Sequence, residues 1–223
     1  DFRMEMYNAD GSRGEMCGNG IRCCAKYVYE SGRVTKTRMR AETDAGEKGL
    51  DLVVDGGKCV AVRVDMGAPI LERAAIPMLG PEGHVVAEQM PVQDHLFTVT
   101  AVSMGNPHCV TYVDDVAAAP VLTVGPKIER HAAFPRKTNV EFVQVVSRSE
   151  VRQRTWERGV GETWACGTGA AAVCVAGVLT GRTDRKVLIH LVGGDLDLEW
   201  AANDHVIQVG PTVEVYAGDW PVA

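Results

Sequence analysis

The residues best suited to chemistry in this sequence are two cysteines in matching surroundings. Cys17 stands in "EMCGNGIRCCAKYVYESGR" and Cys166 in "WACGTGAAAVCVAGVLTGR". Aligned on the cysteines, Gly18 falls on Gly167, Gly20 on Gly169, Ser31 on Thr180, Gly32 on Gly181 and Arg33 on Arg182. The two copies lie 149 residues apart, far beyond the period of a stacked repeat array. This spacing predicts two similar halves, each carrying one cysteine at an equivalent place.

In both copies Cys-Gly-x-Gly opens a stretch rich in Ala, Cys and Val. The composition predicts helices over 18–30 and 167–179, each ending near a glycine, Gly32 or Gly181, as helices often do. A helix start exposes unpaired backbone N–H groups and the positive end of the dipole. Glycines at that point let a carboxylate approach the backbone. A cysteine there is expected to have a depressed pKa and to serve as base or nucleophile near neutral pH. If the two halves face each other, one thiolate can take a proton from a carbon while the opposite thiol delivers one to the other face. That is stereoinversion by two bases, and it needs no cofactor. The helix ends would stabilise the charge that develops on the substrate as the carbon loses its proton.

Other readings of the same residues stand beside this one. A buried cysteine is often a small inert core residue, which is explanation enough for Cys23, Cys24, Cys59 and Cys174. It explains Cys17 and Cys166 less well, because the glycines are duplicated with them. Zinc is a further alternative, but the sequence has no Cys-x-x-Cys and no repeated Cys/His spacing, so no metal is expected. The Gly-x-Gly is not part of a strand–GxGxxG–helix unit.

These elements must be carried by a chain of 223 residues, 46% hydrophobic and 23% charged, ordinary values for a globular protein with a sizeable core. A net charge of −6 without a Lys/Arg run argues against nucleic acid or an anionic membrane as the main partner. No apolar stretch has the length of a membrane span. Seven cysteines, an odd number, point to a reducing compartment, the cytoplasm, rather than a disulfide scaffold. Outside the two helical stretches the chain reads mostly as short alternating strands, among them "KCVAVRVDMG", "LFTVTAVSMG", "NVEFVQVV" and "HVIQVGPTVEVYAG", with "RKVLIHLVGGDLDLEW" as a hairpin and "GPKIERHAAF" as a short third helix. The expected fold is α+β: two pseudo-symmetric halves, each a mostly antiparallel or mixed sheet around one helix. The first half is expected to comprise 1–65 plus 210–223 and the second 66–209, with a seam near Asp65-Met66-Gly67.

Four stretches, "NADGSRGEMCGNG", "MGNPHCV", "TNVEF" and "ERGVGETWACGTGA", resemble the diaminopimelate epimerase family, in the family's order and over nearly the whole chain. The resemblance implies a PLP-independent epimerase that interconverts LL- and meso-diaminopimelate on the route to lysine and, in many bacteria, to peptidoglycan. It implies two pseudo-symmetric halves, each a sheet wrapped around a central helix. Cys17 and Cys166 match the catalytic pair. Gly18 and Asn19, and Gly167 and Thr168, match the helix-start residues that hold the reacting carboxylate and amine region. Asn8, Asn106 and Asn139 match substrate-binding asparagines. Glu157 and Arg158 match the residues that hold the amine and the distal carboxylate, and His108 and Glu157 match groups that tune the thiols. By position alone, Asn8 and Asn106 would be turn residues, His108 a packed side chain and Arg158 a solvated charge; the resemblance moves them toward function. It also implies a homodimer, with Tyr216 at the contact. Family members carry "GNDF"- and "GADQ"-like stretches ahead of these motifs, so several dozen residues of the first half are expected to precede Asp1. Proline racemases and hydroxyproline epimerases share the surroundings of the cysteines and form the alternative; they are not expected to combine "NADG" with "ERGxGET".

Overall fold

A computed structural model describes residues 1–7, 11, 13, 14 and 16–219; Asn8 lies outside the described residues. Three two-residue strands, β1 (Phe2–Arg3), β2 (Met6–Tyr7) and β3 (Arg13–Gly14), precede helix α1 (Gly18–Glu30). A meander follows: β4 (Arg38–Thr43), β5 (Gly46–Asp55) and β6 (Lys58–Gly67). Next come β7 (Glu88–Val92), β8 (His95–Ser103), β9 (Pro107–Tyr112) and helix α2 (Val121–Glu129). The chain continues through β10 (Asn139–Ser147), β11 (Glu150–Glu157), β12 (Gly161–Thr163), helix α3 (Gly167–Leu179), β13 (Lys186–Leu191), β14 (Gly194–Trp200) and β15 (Val206–Pro211). One sheet runs in the order β1-β4-β5-β6-β15-β14-β13-β11-β10-β9-β8-β7, with β12 attached to β11. Most pairs are antiparallel; β1/β4, β9/β10 and β11/β13 are parallel. The fold is thus α+β, with β15 joining the β4–β6 meander to the rest of the sheet.

α1 and α3 have the bounds that composition predicts. Both are followed by a glycine with positive φ, Gly32 at +71° and Gly181 at +67°, the left-handed geometry that glycine adopts without strain. They differ in burial. Every residue of α3 from Gly167 to Gly177 is buried, and the helix packs against β8, β9, β10, β13, β14 and β15. Its Ala, Gly, Val and Cys side chains are apolar all round, as a helix enclosed by a sheet requires. α1 buries one stripe, Gly18, Ile21, Arg22 and Ala25, at the i, i+3, i+4, i+7 spacing. Cys23 is on the opposite face and exposed, so it is not the inert core cysteine expected from its neighbours. Lys26 and Glu30 fasten α1 to β6: Lys26 Nζ donates to the Cys59 carbonyl at 2.7 Å, and the Cys59 N–H donates to Glu30 Oε1 at 2.8 Å. Hydrogen bonds from Lys26 and from Cys59 hold the Glu30 carboxyl down at about 2.

Strands β8–β11 are covered on both faces. Val102, Val110, Val143 and Val151 join the α3 core. Their alternates Ala101, Cys109, Val140 and Phe142 join a second core with Ile76, Ile128 and Phe134 on the α2 side.

Three expectations fail locally. α2 begins at Val121 and ends at Glu129, four residues before Gly125-Pro126 and short of Phe134. Gly125 packs against Trp156, where a Cβ would lie 2.7 Å from the Trp156 Cβ, and this tertiary contact overrides the local breaker. β7 was not anticipated; it is an edge strand carrying Pro91, and proline is a poor strand signal even where an edge accepts it. The last strand stops at Pro211, and Thr212–Asp219 have no regular structure, leaving Val213, Val215 and Tyr216 exposed.

Candidate active site

Cys17 and Cys166 are the N-cap residues of α1 and α3, with nearly equal backbone angles: φ −134°, ψ 112° and φ −132°, ψ 107°. The duplicated sequence therefore produces a duplicated backbone geometry. Cys17 Sγ accepts the Gly20 N–H at 3.3 Å, and Cys166 Sγ lies 3.6 Å from Thr168 Oγ1.

The two helix starts touch each other. A Cβ on Gly18 would lie 3.3 Å from the Gly167 Cα, and one on Gly167 would lie 3.2 Å from the Gly18 Cα. Glycine here serves close approach of two backbones as well as the approach of a ligand. Two side chains, neither anticipated from the sequence, tie the starts together. Buried Gln208 on β15 donates from Nε2 to the Gly167 carbonyl at 2.9 Å. Its Oε1 accepts from Arg22 Nη1 at 2.8 Å. Arg22 also donates to the Gly18 carbonyl at 3.1 Å and to Asn19 Oδ1 at 2.8 Å. Gly210 makes room for this arginine, since a Cβ there would come within 2.9 Å of the guanidinium carbon. Sequence signals did exist: Arg22 is four residues from Gly18 on the buried stripe, and Gln208 alternates with Val206 and Gly210 on one strand face.

The start of α3 faces a second polar group. Along β10, Asn139 and Glu141 share the face of Val143; along β9, His108 shares the face of Val110. Period-2 alternation turns all of them toward α3. His108 Nδ1 meets Glu141 Oε1 at 2.8 Å, and both side chains are wholly buried. His108 Nε2 meets Asn106 Oδ1 at 3.0 Å, and Asn106 Nδ2 donates to Thr168 Oγ1 at 3.3 Å. Glu141 was missed from sequence, although as an acid two residues beyond Asn139 it had to share that residue's face. His108, Glu141 and Cys166 have donor atoms within 4.8 Å of one another. No metal role is assigned to them: His108 bonds Glu141 and Asn106, and Cys166 Sγ lies 3.6 Å from Thr168 Oγ1.

The cysteine expected to be acidic at this helix start is the reverse. Cys166 is pushed up, first by burial and then by the Glu157 and Glu141 carboxylates, with the Thr168 hydroxyl opposing the rise. The partial charge of a helix end does not overcome loss of hydration and two neighbouring acids. Glu141 is itself raised by burial, with His108 opposing. Burial also raises Cys59, Cys109 and, to about 12, Cys174. A thiol whose pKa is higher folded than unfolded stabilises the fold fully below the unfolded value and loses that contribution as pH rises toward the folded one. The melting temperature is therefore expected to fall progressively above about pH 8.5, the unfolded thiol value, in thermal scans from pH 7 to pH 10. A flat profile would contradict these buried thiols.

Gly169, the second glycine of its motif, gives Glu141 its place. A Cβ on Gly169 would lie 2.6 Å from Glu141 Oε1 and 3.2 Å from Cys166 Sγ. Gly169→Ala is expected to displace both groups and to lower turnover by about 10- to 100-fold, the effect of a misplacement near 1 Å. Steady-state kinetics alongside a circular dichroism spectrum that confirms folding will test this.

Asn139, 2% exposed, is committed to the backbone: its Nδ2 donates to the Pro107 carbonyl at 2.9 Å and its Oδ1 accepts the Arg158 N–H at 2.9 Å. It thereby fixes the turn that presents Arg158. The Arg158 side chain is half-buried, with one donor 3.5 Å from the Arg136 carbonyl. Glu157 ends β11 on the same stretch. Tyr216 lies in the exposed C-terminal segment, away from regular structure.

The family model for diaminopimelate epimerase matches residues 1–72 and 100–215. The chain is 56% identical over 222 residues to the diaminopimelate epimerase of Moorella thermoacetica, covering 99% of this chain and 80% of that protein. It is 54% identical over 221 residues to that of Pelotomaculum thermopropionicum, covering 99% and 79%. Among solved structures, a hydroxyproline epimerase from Agrobacterium vitis superposes with a TM-score of 0.69 at 17% identity, covering 94% of this chain and 67% of that one. A protein described as a probable proline racemase from Agrobacterium radiobacter gives 0.70 at 15%, covering 96% and 72%. At such identities those two speak for the fold alone. With the motifs in order, the paired cysteine caps and the matched relatives, the chain belongs to the diaminopimelate epimerase family and is an isomerase.

Proposed function

We propose that this protein interconverts LL- and meso-diaminopimelate by transferring the α-proton between Cys17 and Cys166, with no cofactor. The observation that carries this reading is the contact of two cysteine-capped helix starts at Gly18 and Gly167. Two N-termini directed at one place offer backbone N–H groups to a single carboxylate, with one sulfur on either side. Burial and the nearby acids favour the protonated thiol of Cys166, the form that delivers a proton when Cys17 is the base. The opposite stereoisomer uses the roles exchanged. Gly18, Asn19, Gly167 and Thr168 hold the reacting end. Glu157 and Asn106 take the amine side, Asn8 completes the polar contacts, and Arg158, on the turn that Asn139 fixes, holds the distal carboxylate.

Solvent deuterium wash-in tests the reaction. With LL-diaminopimelate in D2O, the α-proton NMR signal is expected to disappear as meso product accumulates, while L-proline and trans-4-hydroxy-L-proline remain unlabelled. Labelling of proline instead would favour the racemase alternative. Arg158 discriminates the two substrates as well, since a planar guanidinium fork matches a carboxylate in a way an ammonium does not. Arg158→Lys is expected to raise KM for diaminopimelate about tenfold or more with a smaller change in kcat, consistent with loss of one charged hydrogen bond. An unchanged KM would remove Arg158 from the distal site.

The enzyme is further read as a cytoplasmic homodimer. The odd set of free cysteines supports the compartment, and the exposed apolar side chains of Val213, Val215 and Tyr216 support a contact between copies. Among the described residues no helix is long and apolar enough to cross a membrane.

A further inference from the structure

Glu141 touches no substrate in the reaction as described, yet it is wholly buried beside Cys166. Its Oε1 meets His108 Nδ1 at 2.8 Å, while its Oε2 has no hydrogen-bond partner. An ionised carboxylate with one oxygen dry and unpartnered is costly, so the Glu141–His108 contact holds a proton, on oxygen or on nitrogen. The other ring nitrogen faces the Asn106 carbonyl oxygen at 3.0 Å. That oxygen has no hydrogen to give, so His108 Nε2 is the donor. Asn106 in turn donates from Nδ2 to Thr168 Oγ1. Thr168 already accepts there, so its hydroxyl hydrogen is free for Cys166 Sγ, 3.6 Å away. Every donor in the series His108, Asn106, Thr168 points toward Cys166.

We infer that Glu141 is a positioning residue: by holding His108 with Nε2–H outward, it orients the Asn106 amide and the Thr168 hydroxyl so that Thr168 donates to the Cys166 thiolate when Cys166 acts as base. The inference rests on the two-thiol reading above. Partners behind a histidine set its tautomer and ring orientation, as second partners do for metal-bound histidines. Loss of the partner at Nδ1 releases the ring. If Nε2 then turns acceptor, the Asn106 amide inverts, Thr168 must donate to Asn106, and the Cys166 thiolate loses its donor. The Glu141 charge itself opposes ionisation of Cys166, but the proton shared with His108 offsets that charge, so loss of the Thr168 donor is the larger effect. The charged and titratable groups facing Cys166 are Glu157 from β11, Glu141 from β10 and His108 from β9, with Cys17 capping the neighbouring helix.

The experiment reads Cys166 with and without substrate. First, the iodoacetamide reactivity of Cys166 is followed by peptide mass spectrometry against pH, which requires no assumption about the substrate. Glu141→Leu is expected to move this profile up by about one pH unit, the worth of a hydrogen bond to a charged group. Glu141→Gln, whose amide can donate to Nδ1 and keep Nε2–H outward, is expected to restore it. A profile that moves down in Glu141→Leu would show that Glu141 acts as a charge, and one that does not move would show no role; either overturns the proposal. Second, α-proton wash-in from diaminopimelate is compared in Cys17→Ala, where Cys166 is the remaining thiol, and in Cys166→Ala. Adding Glu141→Leu is expected to lower the ratio of Cys166-dependent to Cys17-dependent exchange about tenfold or more. An equal fall in both backgrounds would reduce Glu141 to general packing. If Glu141→Leu does not fold, Thr168→Val tests the last link: the same upward shift is expected, and its absence overturns the relay. Failure of the parent to exchange diaminopimelate would strike the substrate reading and leave the alkylation test intact.

Discussion

Alanine at either Cys17 or Cys166 is expected to abolish inversion while leaving slow exchange of the α-proton with solvent. This is the largest effect expected from the arrangement of the two caps. Inversion needs an acceptor on one face of the carbon and a donor on the other; a single thiol can only return a proton to the face from which it came. Cys17→Ala retains Cys166, and Cys166→Ala retains Cys17, so the two variants are expected to label opposite stereoisomers with retention of configuration. Loss of a group acting directly in proton transfer is worth at least about 10²–10⁴-fold. The measurement is deuterium incorporation without change of configuration, by NMR, on LL- and meso-diaminopimelate. Full epimerase activity in either variant would falsify the two-thiol mechanism. The exchange should also be unequal between variants, because Cys166 is buried beside two carboxylates that oppose its ionisation, whereas Cys17 is half-exposed.

Gln208→Leu is expected to damage stability and turnover together, although Gln208 is not proposed to touch substrate. Leucine fills a similar volume but leaves the Gly167 carbonyl and one Arg22 donor without their partner. Arg22 is 6% exposed, with its Nε already unpartnered, and burial lowers its pKa. Removing an acceptor from a buried cation costs about 1.5–3 kcal/mol, which for a chain of this size is a fall of roughly 3–12 °C in Tm. The helix starts lose their bridge as well, so kcat is expected to drop about tenfold or more at temperatures where the variant is folded, in line with the sensitivity of catalysis to small misplacements. Thermal melts and kinetics on the same preparation measure both effects. A variant with a lowered Tm and full kcat would show that Gln208 holds the fold without setting the distance between the caps.

The duplicated pattern in the sequence determined the two helices, their cysteine caps and their glycine ends. These are local matters: small apolar residues propagate a helix, and a glycine in the left-handed region stops it. Alternation likewise placed most of the strands, because a strand with one face buried must repeat every second residue. The tertiary structure decided three things. It brought Gly18 against Gly167, which depends on β15 pairing with β6 on one side and β14 on the other. It chose Arg22 and Gln208, 186 residues apart, as the link between helix starts, a pairing invisible to any local spacing. And it reversed the expected acidity of Cys166. The helix terminus that should favour a thiolate is a short-range, partial charge, and whether it prevails depends on hydration and on which acids the neighbouring strands present. Glu141 and Glu157 lie 25 and 9 residues before Cys166 in the chain, and only the folding of β10 and β11 against the start of α3 makes them its neighbours.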